Sequence, residues 1–264
     1  MKKLLYSLIL ILLVASTQMR ASEIKLDGIF QGKNLYVMNP FASSGVGFCV
    51  YEVTVNGQVT TDEIMSSAFE VDLSIFQFNL GDQLSVVIKH KENCKPKVLN
   101  PEVLKPKSTF ETSAINVSTD GKKLTWTTTG EAGQLAFDIQ QFRWNKWVKV
   151  GEVQGVGTPG ENAYSFDINL HSGKNRFRVK QTDYTKKHRY STETFYNAKF
   201  PPVTLSKKKV EDVVEFNMET MYEIYDNYGN IVLKGTGKTV DVKALSNGKY
   251  YLNFDNQMEE IQKK

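Results

Sequence analysis

The C-terminal stretch of this 264-residue chain decides its fold. Residues 222–235 read YEIYDNYGNIVLKG, and residues 239–254 read TVDVKALSNGKYYLNF. In the second segment Tyr250, Leu252 and Phe254 alternate with more polar neighbours, which is the two-residue period of a strand with one buried face. No part of the mature sequence keeps up the apolar period of an α-helix, so the pattern predicts an all-β protein.

Short turns separate the strands of this stretch. Asn227 to Gly229 and the pair Asn247–Gly248 accept the left-handed backbone conformations that tight hairpins need. The segment therefore predicts a small antiparallel β-sandwich over residues 205–264.

The same stretch carries a spacing that is characteristic of a known family. It contains Ile-Tyr-Asp-x-x-Gly-x-x-Val, then Val-Asp-Val-x-x-Leu, then Asn-Gly-x-Tyr-Tyr. This order resembles the C-terminal sorting domain of the type IX secretion system, the Por secretion tail. The matched positions are Ile224, Tyr225, Asp226, Gly229, Val232, Val240, Asp241, Leu245, Gly248 and Tyr250. The chain departs from the family where FPPVTL at 200–205 replaces a Pro-Asn-Pro opening, and where Asn230 replaces a basic residue.

The resemblance implies how the protein is exported. Proteins of this family cross the outer membrane of certain Gram-negative bacteria, and their partners are the translocon and sorting proteins of that machinery. The sorting domain is commonly removed at the surface, where the remaining protein is joined to an anionic lipopolysaccharide. Two roles stay open: an accessory or signalling component of the system, similar to PorA-like proteins, and a small surface adhesin or glycan-binding cargo protein.

The N-terminus predicts export by a separate signal. Lys2 and Lys3 precede an apolar run from Leu4 to Val14, and small residues follow, with Ser16 or Ala21 as the last residue before cleavage. The run is too short for a stable membrane anchor, so residues 1–21 are interpreted as a signal peptide. We expect no transmembrane segment in the mature protein, which passes the periplasm and reaches the outer cell surface or the medium.

The net charge gives no reason to expect nucleic acid as a partner. The formal charge is +4, and three of the cations lie in the leader, which leaves +1 on the mature chain.

The two cysteines predict one disulfide. Cys49 and Cys94 are the only cysteines of the chain, and no Cys-x-x-Cys redox motif is present. In an exported protein such a pair favours a structural bond within one domain.

The remainder of the chain divides into two further predicted domains. Residues 22–100 read as an immunoglobulin-like sandwich with the disulfide, and three prolines in 95–108 indicate an extended linker. Residues 109–198 resemble the fibronectin type III-like module that often precedes the sorting domain. That resemblance rests on a Trp126 strand followed by a Thr-x-x-Glu turn, a Phe-x-Ile strand, a Val-Gly-x-Val strand and a late Phe-Arg-Val-Lys-Gln strand. The core of this module is expected to be filled by Trp126, Phe137, Ile139, Phe177 and Val179.

The sequence contains no recognisable catalytic motif. His90, His171 and His188 are scattered, and neither a zinc-binding spacing nor a nucleophile elbow is present. We therefore expect a protein that is not an enzyme and uses no cofactor or metal.

Two features of the fibronectin-like region are candidate partner-binding residues. Arg176, Arg178 and Lys180 alternate with apolar residues and predict a cationic ridge on one strand face, which a solvated outer face would also explain. Trp144 is expected to be exposed beside Arg143, a composition found at interface hot spots, whereas Trp147 is expected in the core.

The connection between the last two domains predicts a processing site. Pro201, Pro202 and the lysines 207–209 favour an extended, solvated segment, so any proteolytic cut is expected between Ala198 and Val210. We expect this cleavage to occur; the alternative is a component of the secretion machinery that keeps its sorting domain uncut.

Overall fold

The computed structural model describes residues 22–43 and 45–264, so the predicted signal peptide lies outside the described residues. As predicted, the described chain is built from β-strands. Its helical content is two short 3-10 helices, Leu73–Phe76 and Pro101–Leu104. Over these residues no helix is long and apolar enough to cross a membrane.

The described residues divide into two compact units. The first contains 22–26, Asn34–Asp72 and Ser85–Asn100, and the second contains Asp27–Lys33, Leu73–Leu84 and Pro101–Lys264. Two segments of the predicted first domain therefore group with the rest of the chain. The second unit itself holds two β modules.

The N-terminal strands form two sheets, as an immunoglobulin-like sandwich requires. Their bounds are β1 (Ser22–Ile29), β2 (Leu35–Met38), β3 (Val50–Val55), β4 (Gln58–Val59), β5 (Ala68–Val71), β6 (Gln83–His90) and β7 (Lys97–Val98). One sheet has the order β1-β6-β3-β4, and the other has the order β5-β2-β7. Strands β2 and β5 alternate buried and exposed residues, and in β2 Leu35 and Val37 are fully buried.

The predicted disulfide is present. Cys49 and Cys94 are bonded, with their Cα atoms 5.6 Å apart, and both are buried. The bond closes a loop with a sequence separation of 45 residues, and loop closure of this length stabilises a fold by roughly 4 kcal/mol through the unfolded chain.

The next module has the strand order of a fibronectin type III-like domain. Its strands are β8 (Glu111–Val117), β9 (Lys123–Thr129), β10 (Ala136–Arg143), β11 (Lys146–Gln154), β12 (Asn162–Asp167), β13 (Gly173–Thr182), β14 (His188–Tyr190) and β15 (Thr194–Ala198). Three strands, β12-β9-β8, face a sheet of β11-β10-β13 in which β14 and β15 both pair with β13. The core lies between the sheets around Trp126, Phe137 and Phe177, as the sequence predicts.

The Thr-x-x-Glu turn of this module has a structural role. Thr128 and Tyr164 donate their hydroxyls to the buried carboxylate of Glu131, which also accepts the backbone N–H of Gly157 at 2.8 Å. Burial, aided by Glu131, raises the pKa of Tyr164 to about 12. The turn therefore fixes the end of β9 against the opposite loop.

The C-terminal module is one five-stranded sheet in the order β16-β20-β19-β17-β18. Its strands are β16 (Lys209–Val210), β17 (Val213–Tyr225), β18 (Ile231–Asp241), β19 (Gly248–Phe254) and β20 (Gln257–Lys263). The register of β17 and β18 shifts between Glu215 and Thr220, and such irregularities bend a strand pair. Because of this bend, Phe216 from one half and Ile224 from the other share one core.

Both predicted linkers differ from the expectation. Residues 95–108 contain strand β7 and the helix Pro101–Leu104, whose Leu104 is 3% exposed, so this segment is packed rather than an extended spacer. The prolines are compatible with packing because Pro101 opens the short helix, where a missing N–H costs nothing.

The predicted processing segment, 198–210, has exposed lysine side chains as expected, but much of its backbone is paired. Val203 is 2% exposed within the C-terminal core, Leu205 bridges to Phe216, and Lys209–Val210 pairs in parallel with β20. Proline is tolerated at such an edge, and exposed lysine side chains leave the backbone free to pair. The prediction of an extended, unpaired segment was therefore wrong for most of its length.

Candidate functional site

Asp255 lies where the C-terminal module meets the fibronectin-like module. It follows β19 with a left-handed backbone (φ 49°) and is 2% exposed. Its carboxylate accepts the backbone N–H of Ser172 at 2.7 Å, the Ser172 hydroxyl at 2.5 Å, and the backbone N–H of Val203 at 3.1 Å. One buried carboxylate thus connects the two modules and the segment between them.

Arg143 is the second buried charge of this junction. Its guanidinium donates to the side chain of Gln141 at 2.6 Å and to the backbone oxygens of Asn169 at 3.0 Å and Asp255 at 3.3 Å. Burial lowers the pKa of Arg143 to about 10, and the charge of Asp255 opposes this shift. The side chain therefore stays charged at neutral pH, with the opposite charge of Asp255 nearby.

His171 completes the junction and is 1% exposed. Its Nδ1 lies 2.7 Å from the backbone oxygen of Ser172, so Nδ1 carries the proton, and Nε2 is buried without a hydrogen-bond partner among the described residues. Burial is the main cause that lowers the pKa of His171, and the charge of Arg143 acts in the same direction. The imidazole is therefore neutral at neutral pH.

A second polar cluster ties the modules at the β10–β11 hairpin. The ammonium of Lys146 donates to Glu223 and to the Tyr225 hydroxyl, both at 2.6 Å, and that hydroxyl donates to Glu223 at 2.5 Å. Burial and Glu223 both raise the pKa of Tyr225. Burial alone would lower the pKa of Lys146, but its two hydrogen bonds outweigh that effect and raise it.

Trp144 occupies the tip of that hairpin and is half-buried. Its backbone φ is 51°, which is unusual for a bulky residue, and the cations of Arg143 and Lys146 lie 6.0 and 5.9 Å from its ring centroid. Its indole N–H is buried and has no acceptor among the described residues. The proposed contact of Trp144 with a partner stays a prediction, now for a side chain that is less exposed than expected.

The outer face of the β10–β11–β13 sheet carries alternating cations and aromatic rings. The guanidinium of Arg178 lies 4.1 Å from the ring centroids of both Trp147 and Tyr190. That of Arg176 lies 4.4 Å from the centroid of Phe142 and 5.4 Å from that of Trp147. We call these five residues the cation–aromatic ladder. Trp147 therefore packs on the outer face, and the expectation that it belongs to the core was wrong.

The predicted cationic ridge shares this face, but each of its cations has a partner. Arg176 pairs with Glu193 at 2.8 Å, and Lys180 pairs with Asp138 at 3.2 Å. Arg178 donates to the Gln140 side chain at 2.8 Å. Each cation of the ridge is therefore paired within the fold. The role of the ridge in binding a partner stays a prediction.

The residues that resemble a sorting signal have structural roles in the hairpin that joins β17 and β18. The Asp226 carboxylate accepts the backbone N–H groups of Tyr228 and Asn230, both at 2.9 Å, and Gly229 takes a φ of 83°. This arrangement closes the turn, and the hydrogen bonds to Asn230 are the main reason that the pKa of Asp226 is lowered.

The remaining matched residues stabilise the other end of the same module. Asp241 accepts the backbone N–H of Lys243 at 2.9 Å, and the hydroxyl of Tyr250 donates to the backbone oxygen of Ser246 at 3.0 Å. Val232 and Leu245 pack against the core, and Gly248 begins β19. The matched pattern therefore describes turns and core positions of one folded module.

The sequence reasoning missed the junction residues Asp255, Arg143 and His171. The pair Asp255–Asn256 follows a strand with alternating apolar and polar residues, and this composition is typical of an ordinary turn. A buried charge of this kind depends on contacts with residues about 80 positions away, such as Ser172 at a separation of 83. Within the described ranges, no group of three His, Cys, Asp or Glu side chains is placed to hold a metal ion.

No family model matches this chain, and no curated protein matches it. Solved structures align with it at low identity. A tetra-tandem repeat from the extending region of a large adhesion protein is 13% identical with a TM-score of 0.32, over 92% of this chain and 73% of that chain. The fibronectin(III)-like modules of Clostridium thermocellum CbhA are 10% identical with a TM-score of 0.21, over 59% and 93%. The FN1–FN3 domains of chicken CNTN1 are 10% identical with a TM-score of 0.23, over 92% and 94%.

These TM-scores transfer no property of those proteins to this chain. The fibronectin-like assignment of residues 109–198 rests instead on the strand order of their two sheets.

Proposed function

We propose that this chain is an exported, non-enzymatic protein of the cell surface, routed through the type IX secretion system by its C-terminal module. The routing is supported by the resemblance of residues 221–264 to the sorting domain. The observation that carries the proposed role is the junction of Asp255 and Arg143, which makes the C-terminal module part of the body of the protein. This arrangement suits an accessory or signalling component that keeps its sorting domain.

The proposal of a binding rather than catalytic role is supported by what the surface presents. Exposed aromatic side chains lie on both modules, including Tyr190 on β14 and Tyr228 in the β17–β18 turn, and aromatic residues are enriched where proteins bind partners. Catalysis by grouped histidines is disfavoured because His171 is buried and His188 bonds Thr182 on an exposed strand.

The routing is tested by locating the protein in wild-type cells and in cells that lack the type IX translocon. We expect surface exposure in the wild type and retention in the periplasm in the mutant, measured by protease accessibility of whole cells. Equal surface exposure in both strains would remove the type IX assignment and leave the fold unaffected.

A second candidate is a surface adhesin or glycan-binding cargo protein. It is favoured by a cleft in the C-terminal module that is lined by tyrosines. This alternative requires the C-terminal module to stay attached, so it excludes the cleavage and the attachment to an anionic lipopolysaccharide that the family implies.

A further inference from the structure

The outer face of the C-terminal sheet gathers polar and aromatic side chains at one end. Tyr225 on β17 pairs with Tyr251 on β19, and Glu223 pairs with Asn253 in the same register. Directly paired residues point to the same side of a sheet, so these four side chains share a face. The intervening residue Ile224 points to the opposite side and is fully buried in the core.

A cleft of about 430 Å³ opens on this face beside the turn at 226–229. Its walls include Tyr225, Tyr228, Tyr251, Asn253 and Met258, and we call it the tyrosine cleft. Its volume falls within the range of roughly 300–1,000 Å³ that is usual for small-ligand sites. Tyr228 is 91% exposed and Met258 is 63% exposed, so both are open to a ligand.

The Tyr225 wall of the cleft is ordered before any ligand arrives. Its hydroxyl is held by Lys146 and Glu223, and the Lys146 ammonium lies 5.3 Å from its ring centroid. Strand pairing with Tyr225 and with Glu260 fixes the backbone of Tyr251. The Tyr225 ring, which its own contacts hold in place, loses little conformational freedom on binding.

Asn253 supplies an unused polar group inside the cleft. The residue is 8% exposed, and its side-chain amide makes no hydrogen bond with any other described residue. Its amide atoms do not belong to the fully buried, unpaired polar atoms of the described residues, so water in the cleft can pair with them until a ligand takes its place. An amide both donates and accepts, so it matches a ligand with neighbouring hydroxyl groups.

The charges of the cleft select a neutral ligand. Neither lysine nor arginine is among the described residues that line it. The lining carboxylate, Asp226, is engaged by the backbone of its own turn and by the Asn230 side chain at 3.0 Å. The Lys146 ammonium at the Tyr225 wall is already paired with Glu223 and the Tyr225 hydroxyl, so an anionic ligand would meet no free cation there.

We propose that the tyrosine cleft binds a neutral saccharide. The C–H face of a sugar ring packs on Tyr228 or Tyr251, because an aromatic face carries partial negative charge and attracts polarised C–H groups. The sugar hydroxyls bond the free amide of Asn253. The proposal deepens the binding part of the proposed function and does not depend on the export route.

The test measures binding of neutral tetrasaccharides built from glucose, mannose, xylose or N-acetylglucosamine to the purified mature chain by calorimetry. We expect at least one of them to bind, and the substitutions Tyr228→Ala and Tyr251→Ala each to weaken its Kd by about 10-fold, which is the order of one aromatic contact. Asn253→Ala should weaken it by a similar factor. Tyr36→Ala, which removes a tyrosine that is 48% exposed on β2 outside the cleft, should leave the Kd unchanged.

Several outcomes would overturn the proposal. The first is that none of the four sugars binds at millimolar concentration. The second is that neither tyrosine substitution changes the Kd. The third is that only a heparin-derived anionic tetrasaccharide binds. Tyr228→Ala decides the matter if Asn253→Ala fails to fold, because the exposed Tyr228 side chain contributes little to packing. Surface localisation is measured separately, so failure of this proposal leaves the export proposal standing.

Discussion

At the scale of single residues, Asp255 shows how one carboxylate joins two β modules. Its oxygens accept three hydrogen bonds, from Ser172 in the fibronectin-like module and from Val203 in the connecting segment. The buried guanidinium of Arg143 supplies the opposite charge. Removing one member of such a group leaves buried donors and a buried charge without partners.

We therefore predict that Asp255→Ala lowers the free energy of unfolding by about 2–4 kcal/mol in urea denaturation, since it leaves these donors unpaired. Asp167→Ala is the matched control, because its side chain is 84% exposed and paired only loosely with Lys123 at 3.3 Å. The control should change stability by no more than about 0.5 kcal/mol. Equal effects of the two substitutions would show that the junction contributes nothing to folding.

His171 makes the stability of the second unit depend on pH. Burial lowers its pKa in the folded protein, so the unfolded chain binds the proton more readily. The contribution of the neutral ring is present above the unfolded pKa of about 6.5 and is lost as the pH falls through and below that value.

We predict that stability falls by up to about 1.4 kcal/mol for each pH unit within this window, and that His171→Gln flattens the profile. The measurement is the urea midpoint between neutral pH and pH about 5. His188→Gln is the control, because that histidine is exposed. A profile that keeps its slope in His171→Gln and loses it in His188→Gln would contradict the assignment.

At the scale of elements, the segment from Val203 to Val210 differs most from its sequence-based description. Its composition of prolines and lysines is typical of a solvated linker. In the structure Ser206 donates its backbone N–H to Glu215 at 2.9 Å, and Lys208 accepts that of Gln262 at 2.8 Å. The exposed lysine side chains and the paired backbone are compatible because the segment lies at a sheet edge.

This pairing predicts resistance to trypsin despite three consecutive lysines. Cleavage at 207–209 in the native protein should be at least about 10-fold slower than in the urea-unfolded chain, because cutting requires local opening. Asp255→Ala should speed the cut, since it frees Val203 from the junction. Rapid cleavage of the native chain would show that the backbone of this segment is an unpaired linker.

The alternation of apolar and polar residues along the strands was sufficient to predict the class of the fold and many core residues. Trp126, Phe137 and Phe177 belong to the predicted core because each faces inward from a regular strand. The disulfide was predicted from the presence of two cysteines and from the predicted export signal, and it is confirmed. The position of Trp147 was not predictable in this way, because its facing cations come from β13, and cross-strand neighbours are set by register.

At the scale of the whole molecule, polar contacts attach the C-terminal module to the fibronectin-like module. The sequence predicts separate domains joined by linkers, and the structure joins the last two through Asp255, Arg143 and the Lys146–Glu223 pair. Buried polar contacts between distant segments leave no periodic signal in a sequence, so patterning could not reveal them. The tyrosine cleft depends in the same way on the register of β17 and β19.

The central proposal is that the protein is exported and keeps its C-terminal module. The most direct measurement is the intact mass of the protein recovered from the cell surface. We predict the mass of a chain that begins after Ser16 or Ala21 and still contains the C-terminal module. A chain ending between Ala198 and Val210, or a set of heavier masses from lipopolysaccharide attached near that position, would contradict the claim.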